Sequence, residues 1–171
     1  MNWLWLTGIV VVLDQLTKQV AERNLELYRP FAFIDGHFNF MLAYNKGAAF
    51  SFLSDAGGWQ RWFFTVLSSV ISVVLFLWLK KIAHENRLLA CGLALILGGA
   101  IGNLIDRVLF GHVIDFLQFY YQADSCLIGF SAITRLDTTL CYWPAFNIAD
   151  SAIFLGAACL IADMIRGEKH E

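Results

Sequence analysis

Only two prolines interrupt 171 residues, and Asp, Glu, Lys and Arg together make up 15% of the chain, with a net charge of -2. So little charge, scattered rather than clustered, excludes nucleic-acid binding. Four histidines (His37, His84, His112, His170) and four cysteines (Cys91, Cys126, Cys141, Cys159) are dispersed, without the close pairs of a zinc site; no metal and no cofactor is expected. No Ser-His or Cys-His constellation stands out, which removes the usual covalent routes of hydrolysis. The stretch Trp3 to Leu13 has neither a basic region before it nor a small-residue cleavage site after it, and is read as an uncleaved first span.

What the chain has in abundance is apolar surface, at 58% hydrophobic residues and a mean hydropathy of +0.61. That is far beyond a soluble domain, and a helical bundle satisfies backbone groups in lipid most economically. The expected fold is a membrane all-α bundle of four transmembrane helices, at about 3–20, 59–79, 88–109 and 147–165, forming a single integral-membrane domain over residues 1–171. Between Arg29 and Leu53 the period changes to two, with Phe31, Phe33, Phe38, Phe40, Leu42 and Tyr44 alternating with other residues. A small extramembrane β-sheet is expected there, with Asn45-Lys46-Gly47 as a turn and Ala48 to Phe52 as a returning strand. Aromatic side chains anchoring a loop among lipid headgroups would account for the phenylalanines equally well. The stretch 118–145 has no apolar run able to cross a bilayer and reads as a long extramembrane loop.

Against this background the polar residues near the span ends are costly, and cost implies use. Asp14 and Lys18 share a helix face four residues apart, either as a local ion pair at the interface or in support of a site. Ala94, Gly98 and Gly102 form a small-residue stripe suited to close helix packing. Gly99, Asn103 and Arg107 recur on a second face beside Asp106; a polar face there points into the bundle, unless Asp106-Arg107 merely ends the helix. Asp115 follows in Val113-Ile-Asp-Phe116, and Asp150 in Phe146-Asn-Ile-Ala-Asp150. Asn147 and Asp150 also have the spacing of a helix N-cap, which is a sufficient reason for that acid by itself.

Asp115 and Asp150 are expected at the outer ends of spans three and four, with Asp14 nearby. Two neighbouring carboxylates share a proton, so one takes a proton from water while the other donates to a carbonyl oxygen, which is amide hydrolysis without metal or covalent intermediate. A small proton or cation transporter is the alternative, although the polar groups cluster at one end of the spans rather than at mid-bilayer. Lys80, Lys81, Arg87, Arg166 and Lys169 crowd one side in short segments, so that side and both termini are assigned to the cytoplasm and the sheet and carboxylates to the outer, periplasmic face.

Five ordered blocks carry a resemblance: Asp14-Gln-Leu-Thr-Lys18, Asn45-Lys-Gly-Ala-Ala-Phe50, Gly99-Ala-Ile-Gly-Asn-Leu-Ile-Asp-Arg107, Val113-Ile-Asp-Phe116 and Phe146-Asn-Ile-Ala-Asp150. Over nearly its whole length the chain resembles the bacterial lipoprotein signal peptidases, signal peptidase II. The resemblance implies an inner-membrane aspartic endopeptidase that cleaves prolipoproteins just before a diacylglyceryl-modified cysteine. It further implies contact with membrane lipid and inhibition by globomycin-like cyclic peptides. By motif, Asp115 and Asp150 are the catalytic acids, Asn45, Gly99, Asn103, Arg107, Asn147 and Ala149 line the substrate site, and Asp14, Lys18 and Asp106 support it. The interval between Asp115 and Asp150 is longer than the family usually has, the extra residues falling between about Gln122 and Tyr142. Within it, Cys126 and Cys141 are placed to form a disulfide on an oxidising face, or to remain free thiols against Leu127 and Trp143.

Overall fold

The structure, a computed structural model, describes residues 3–47, 59–135 and 138–167. Helix α1 (Leu4–Asn24) leads into strands β1 (Phe31–Ile34) and β2 (Phe38–Asn45). Helices α2 (Trp59–Ile82) and α3 (Arg87–Leu109) follow, then β3 (Val113–Gln122), β4 (Ser131–Arg135), β5 (Thr138–Tyr142) and α4 (Ile148–Gly167).

Helix α3 is the axis of the helical layer, with α1, α2 and α4 packed around it. It starts where the Asn86 side chain accepts a hydrogen bond from the Leu89 N–H at 3.0 Å, satisfying one of the donors a helix start leaves open. The small residues decide how close its neighbours come. A Cβ on Gly98 would lie 2.7 Å from Val10 Cβ, and one on Gly102 would lie 2.6 Å from an Asp14 carboxylate oxygen. The Ala94, Gly98 and Gly102 stripe therefore faces α1, and the Thr7 hydroxyl donates to the Ala94 carbonyl at 3.0 Å on the same seam. On the other side, a Cβ on Gly156 of α4 would meet the Gly92 carbonyl oxygen at 2.6 Å. Trp3, Leu79, Ile82, Ala90, Leu93, Ala94 and Leu97 close the core at the opposite end of α3 from its Asn103–Arg107 turn.

Among the described residues three helices are long and apolar enough to cross a membrane, at Arg61–Ile82, Arg87–Leu109 and Ile148–Arg166. Helix α1, the first expected span, carries Asp14, Lys18, Glu22 and Arg23 in its second half. Its outward flank is nonetheless apolar, with Ile9, Val12, Leu13, Leu16 and Val20 exposed.

The sheet is larger than the pattern over residues 29–53 suggested. It has five strands in the order β1-β2-β3-β5-β4, and every pairing is antiparallel. The β1–β2 hairpin follows the alternation, turning at Gly36 with φ +77°, a conformation glycine adopts without steric cost. The returning strand expected at Ala48 to Phe52 lies outside the described residues. The larger correction concerns Asp115, which was expected at the end of a span and stands instead on β3, beyond the turn formed by Phe110, Gly111 and His112. The first four residues of β3 are all buried, so both faces of the strand are covered there and it shows no alternation. The stretch 118–145 is correspondingly not a simple loop: it completes β3 and forms the β4–β5 hairpin.

Cys126 and Cys141 are joined as a disulfide, with their Cα atoms 5.4 Å apart. Cys141 lies on β5 opposite both Tyr121 and Ala132, so the bond ties the segment before β4 to the middle of the sheet. Closing a loop of about 15 residues removes about 3 kcal/mol of unfolded-chain entropy. The double variant Cys126→Ser, Cys141→Ser is expected to speed amide exchange in β4 and β5 by roughly a hundredfold, with α3 and α4 unaffected. Hydrogen-exchange mass spectrometry checks this, and unchanged protection in the hairpin would refute it.

Candidate functional site

Where α3 ends, β3 begins and α4 starts, three segments converge on one buried polar network. Its innermost member is Lys18, 1% exposed, beside Asp14 and Asp106, each 0% exposed. The ammonium lies 2.7 Å from Asp14 Oδ2, 2.8 Å from Asp106 Oδ2 and 3.0 Å from Asn103 Oδ1, so all three of its protons have an acceptor. Both carboxylates also accept from backbone. Asp14 Oδ1 accepts from the Ala149 N–H at 2.9 Å, and Asp106 Oδ2 from the Ile114 N–H at 3.1 Å. One cation thus holds two acids, and each acid pins the residue immediately before one of the two expected catalytic aspartates. The i,i+4 pair read in the sequence is a three-way knot rather than an interfacial ion pair, and Asp106 does not merely terminate a helix.

Asn103 and Asn147 form the next layer. Asn103 Nδ2 donates to Asp150 Oδ1 at 2.8 Å, while its Oδ1 also accepts from Asn147 Nδ2 at 3.1 Å. Asn147 Nδ2 further donates to Asp115 Oδ1 at 2.7 Å and to the Ile114 carbonyl at 3.2 Å. The helix-cap expectation for Asp150 holds as well: Asn147 Oδ1 accepts from the Asp150 N–H at 2.9 Å, and Asp150 Oδ2 accepts from the Asn147 N–H at 3.3 Å. Asn147 is therefore bonded to both acids at once, and the reciprocal cap fixes the rotamer of Asp150.

Asn45 reaches Asp115 from β2, its Nδ2 donating to Oδ2 at 3.3 Å while its Oδ1 accepts from the Gly47 N–H at 3.0 Å. Both oxygens of Asp115 accept from an amide, and the side chain is buried. Burial first, and the neighbouring Asp150 charge second, push the Asp115 carboxyl well above the usual carboxylate range; the amides of Asn45 and Asn147 and the Lys18 charge offset this only in part.

Arg107 stands at the rim. Its guanidinium donates to the Asn103 carbonyl at 3.3 Å and to the Gly47 carbonyl at 3.2 Å, and its Cζ lies 5.7 Å from the Phe64 ring centroid. It forks onto carbonyls, not onto a carboxylate. Gly99 and Ala149 meet each other: a Cβ on Gly99 would collide with the Ala149 carbonyl oxygen, so the two set the α3–α4 approach beneath the acids.

Two further residues belong to this frame. Gln15 donates through Nε2 to Asp106 Oδ1 at 2.8 Å and to the Gly102 carbonyl at 3.2 Å. Arg61 of α2 donates to the Arg107 and Val108 carbonyls at 3.1 and 2.8 Å, capping α3 just before the turn into β3. A polar residue within an apolar helix is the available signal for Gln15; for Arg61, nothing local points to the end of α3.

Among the described residues no group of three His, Cys, Asp or Glu side chains is arranged to hold a metal ion. The arrangement is two carboxyl groups in a common amide frame, backed by a buried cluster of one cation and two acids. It can hold one proton between two acids while keeping their positions fixed.

The family described as signal peptidase (SPase) II matches residues 6–166. The lipoprotein signal peptidase of Pseudomonas syringae pv. tomato (strain DC3000) is 47% identical over 167 residues, covering 98% of this chain and 87% of that protein. That of Pseudomonas aeruginosa (strain UCBPP-PA14) is 46% identical, covering 98% and 89%. A bacterial membrane enzyme structure obtained by the in meso method at 2.3 Å resolution matches with a TM-score of 0.79 and 28% identity, over 99% of this chain and 91% of its own. A second such structure, at 1.9 Å, matches with a TM-score of 0.73 and 29% identity, over 95% and 92%. Agreement of this extent in sequence and in backbone means that the chain belongs to the signal peptidase II family.

Proposed function

We propose that Asp115 and Asp150 are the catalytic pair of this lipoprotein signal peptidase, an aspartic-type enzyme acting on prolipoproteins. The observation that carries the assignment is Asn147, whose side chain bonds Asp115 at 2.7 Å and caps onto the Asp150 N–H at 2.9 Å. The pair carries one shared proton, and the cycle is written from the form with that proton on Asp115, the more buried acid. Asp150 then takes a proton from water as the water oxygen attacks the scissile carbonyl, and Asp115 gives its proton to the carbonyl oxygen. Collapse of the tetrahedral diol breaks the C–N bond, with the proton held by Asp150 passing to the leaving amine and the diol proton returning to the pair. Asn45, Asn103, Arg107 and Asn147 form the polar wall around this reaction. Gly99 and Ala149 close the floor of the substrate site, and Asp14, Lys18 and Asp106 hold the frame.

The same reading covers the placement in the membrane. Helix α1 supplies the remaining span: 21 residues rise about 31 Å, and its apolar flank faces lipid while Asp14 and Lys18 turn inward. The chain is one integral-membrane domain over 1–171 in the bacterial inner membrane, with both termini cytoplasmic and the sheet and carboxylates on the periplasmic face, as Lys80, Lys81 and Arg87 on either side of the α2–α3 connection support. The scissile bond lies just before a diacylglyceryl-modified cysteine held at the lipid surface, and globomycin-like cyclic peptides compete for that position. Purified enzyme in detergent, given a precursor with and without the diacylglyceryl group, tests the reading. Cleavage of the lipidated precursor alone is expected; equal cleavage of both, or of neither, overturns it.

A further inference from the structure

The hairpin closed by the Cys126–Cys141 disulfide takes no part in the reaction, yet it is built to present something. Leu127 is 69% exposed and Ile128 102%, at the tip of a loop that nothing leaves slack. The Leu127 N–H donates to the Tyr121 hydroxyl at 2.7 Å, and the Phe130 N–H donates to the Leu127 carbonyl at 3.1 Å. Gly129 turns the chain at φ +90° flat against Trp143, where a Cβ would lie 2.7 Å from the indole ring. Phe130 packs between Tyr121 and Trp143, with centroids 5.0 and 5.3 Å away. A disulfide, a glycine turn and three aromatic rings thus hold two large aliphatic side chains outward. Residues 125–134 carry no charge at all.

The surroundings say which apolar phase receives them. Trp143 is five residues ahead of Ile148, where the membrane-length segment Ile148–Arg166 begins. Five residues reach at most about 17 Å, so the base of this loop stands close to where α4 enters lipid. The aromatic side chains continue from the loop across the sheet. The Trp143 N–H donates to the Phe119 carbonyl at 2.8 Å, and the Phe119 ring contacts those of Phe146 and Phe38. Tryptophan and tyrosine flanked by aliphatic residues and without charge is the composition of a membrane–water boundary, not of a surface facing water.

We propose that the loop 126–130 is a lipid-interface anchor that seats Leu127 and Ile128 at the boundary of the acyl chains. The anchor gives the sheet an attachment to the bilayer at its β4–β5 end, beside the one supplied by the helices. The rigid path from Ile128 through Trp143 to β3 then holds Asp115 at a set height over the membrane surface. That matters for a bond presented by a lipid-anchored substrate; this last step rests on the function proposed above, whereas the anchor itself does not.

The test uses the full-length enzyme in vesicles of phosphatidylethanolamine and phosphatidylglycerol, with the photoreactive residue p-benzoylphenylalanine in place of Ile128. The same residue at Phe154, on the exposed side of α4, serves as the positive control. After irradiation, intact mass spectrometry is expected to show a phospholipid adduct at both positions. A lipid adduct at 154 with none at 128, or a covalent dimer of the chain through 128, overturns the anchor. The functional consequence is read separately in the double variant Leu127→Ser, Ile128→Ser. It is expected to keep kcat and KM in detergent micelles but to show a several-fold higher KM for precursor embedded in vesicles; an unchanged vesicle KM with a lipid adduct at 128 would refute only the height-setting step.

Discussion

Asp115→Asn and Asp150→Asn are each expected to lower cleavage of lipidated precursor by about a thousandfold or more, in protein that still inserts and folds. An amide occupies almost the same space as a carboxyl group but cannot exchange the shared proton. The hydrogen-bond frame shows why the fold survives. Asparagine at 150 keeps one acceptor for the Asn103 amide, and asparagine at 115 keeps one for Asn147, while the second oxygen of each is lost as an acceptor. A displaced hydrogen bond of this kind costs about 1–3 kcal/mol locally. Because the acids act as one unit, the double variant should be no worse than either single one. Purified variants assayed against the lipidated precursor decide the matter, and turnover within tenfold of the parent by either single variant would remove these residues from the chemistry.

The same pair sets the pH dependence. The pair must hold one proton at the start of the cycle, and the Asp115 carboxyl is raised by burial and by the Asp150 charge. Raising the value moves the loss of that proton to higher pH, so the alkaline limb of kcat lies well above the range in which an exposed aspartate titrates.

Much of this arrangement can be read from the residues, because buried charge is so expensive that it marks itself. Asp14, Lys18, Asn103, Asp106 and Arg107 stand out in apolar segments, and Asn147 and Asp150 have cap spacing; all of them meet in the structure. What the residues do not reveal is the partner of each group. Spacing on one helix brings Lys18 to Asp14, but its contact with Asp106 depends on how α1 crosses α3, which Gly98 and Gly102 determine from another segment. The β3 strand was obscured for a related reason. Alternation reports one buried face, and Val113 to Phe116 bury both, so the strand that carries Asp115 has no period to distinguish it from a helix end. The β4–β5 hairpin depends on pairing with β3 and on a disulfide, neither of which leaves a local period.

The other large effect is expected away from the reacting atoms, at Lys18. Lys18→Met keeps most of the volume and removes the charge, leaving Asp14 and Asp106 buried side by side with no cation between them. Removing one partner of a buried ion pair costs about 3–5 kcal/mol, and here one cation serves two acids. The loss reaches the chemistry because Asp14 holds the Ala149 N–H and Asp106 holds the Ile114 N–H, each next to a catalytic aspartate. Lys18→Met should therefore unfold at markedly lower temperature in detergent, and its folded fraction should have a reduced kcat. A second substitution separates lost charge balance from lost packing. Adding Asp14→Asn to Lys18→Met removes one of the stranded charges while keeping an oxygen for Ala149, so the double variant should be more stable than Lys18→Met alone, with a coupling of about 1–3 kcal/mol. Thermal unfolding followed by tryptophan fluorescence measures all four members of the cycle. Strictly additive losses would mean that Lys18 acts through its bulk, and that the charge knot beneath the active site is not what holds the two aspartates in place.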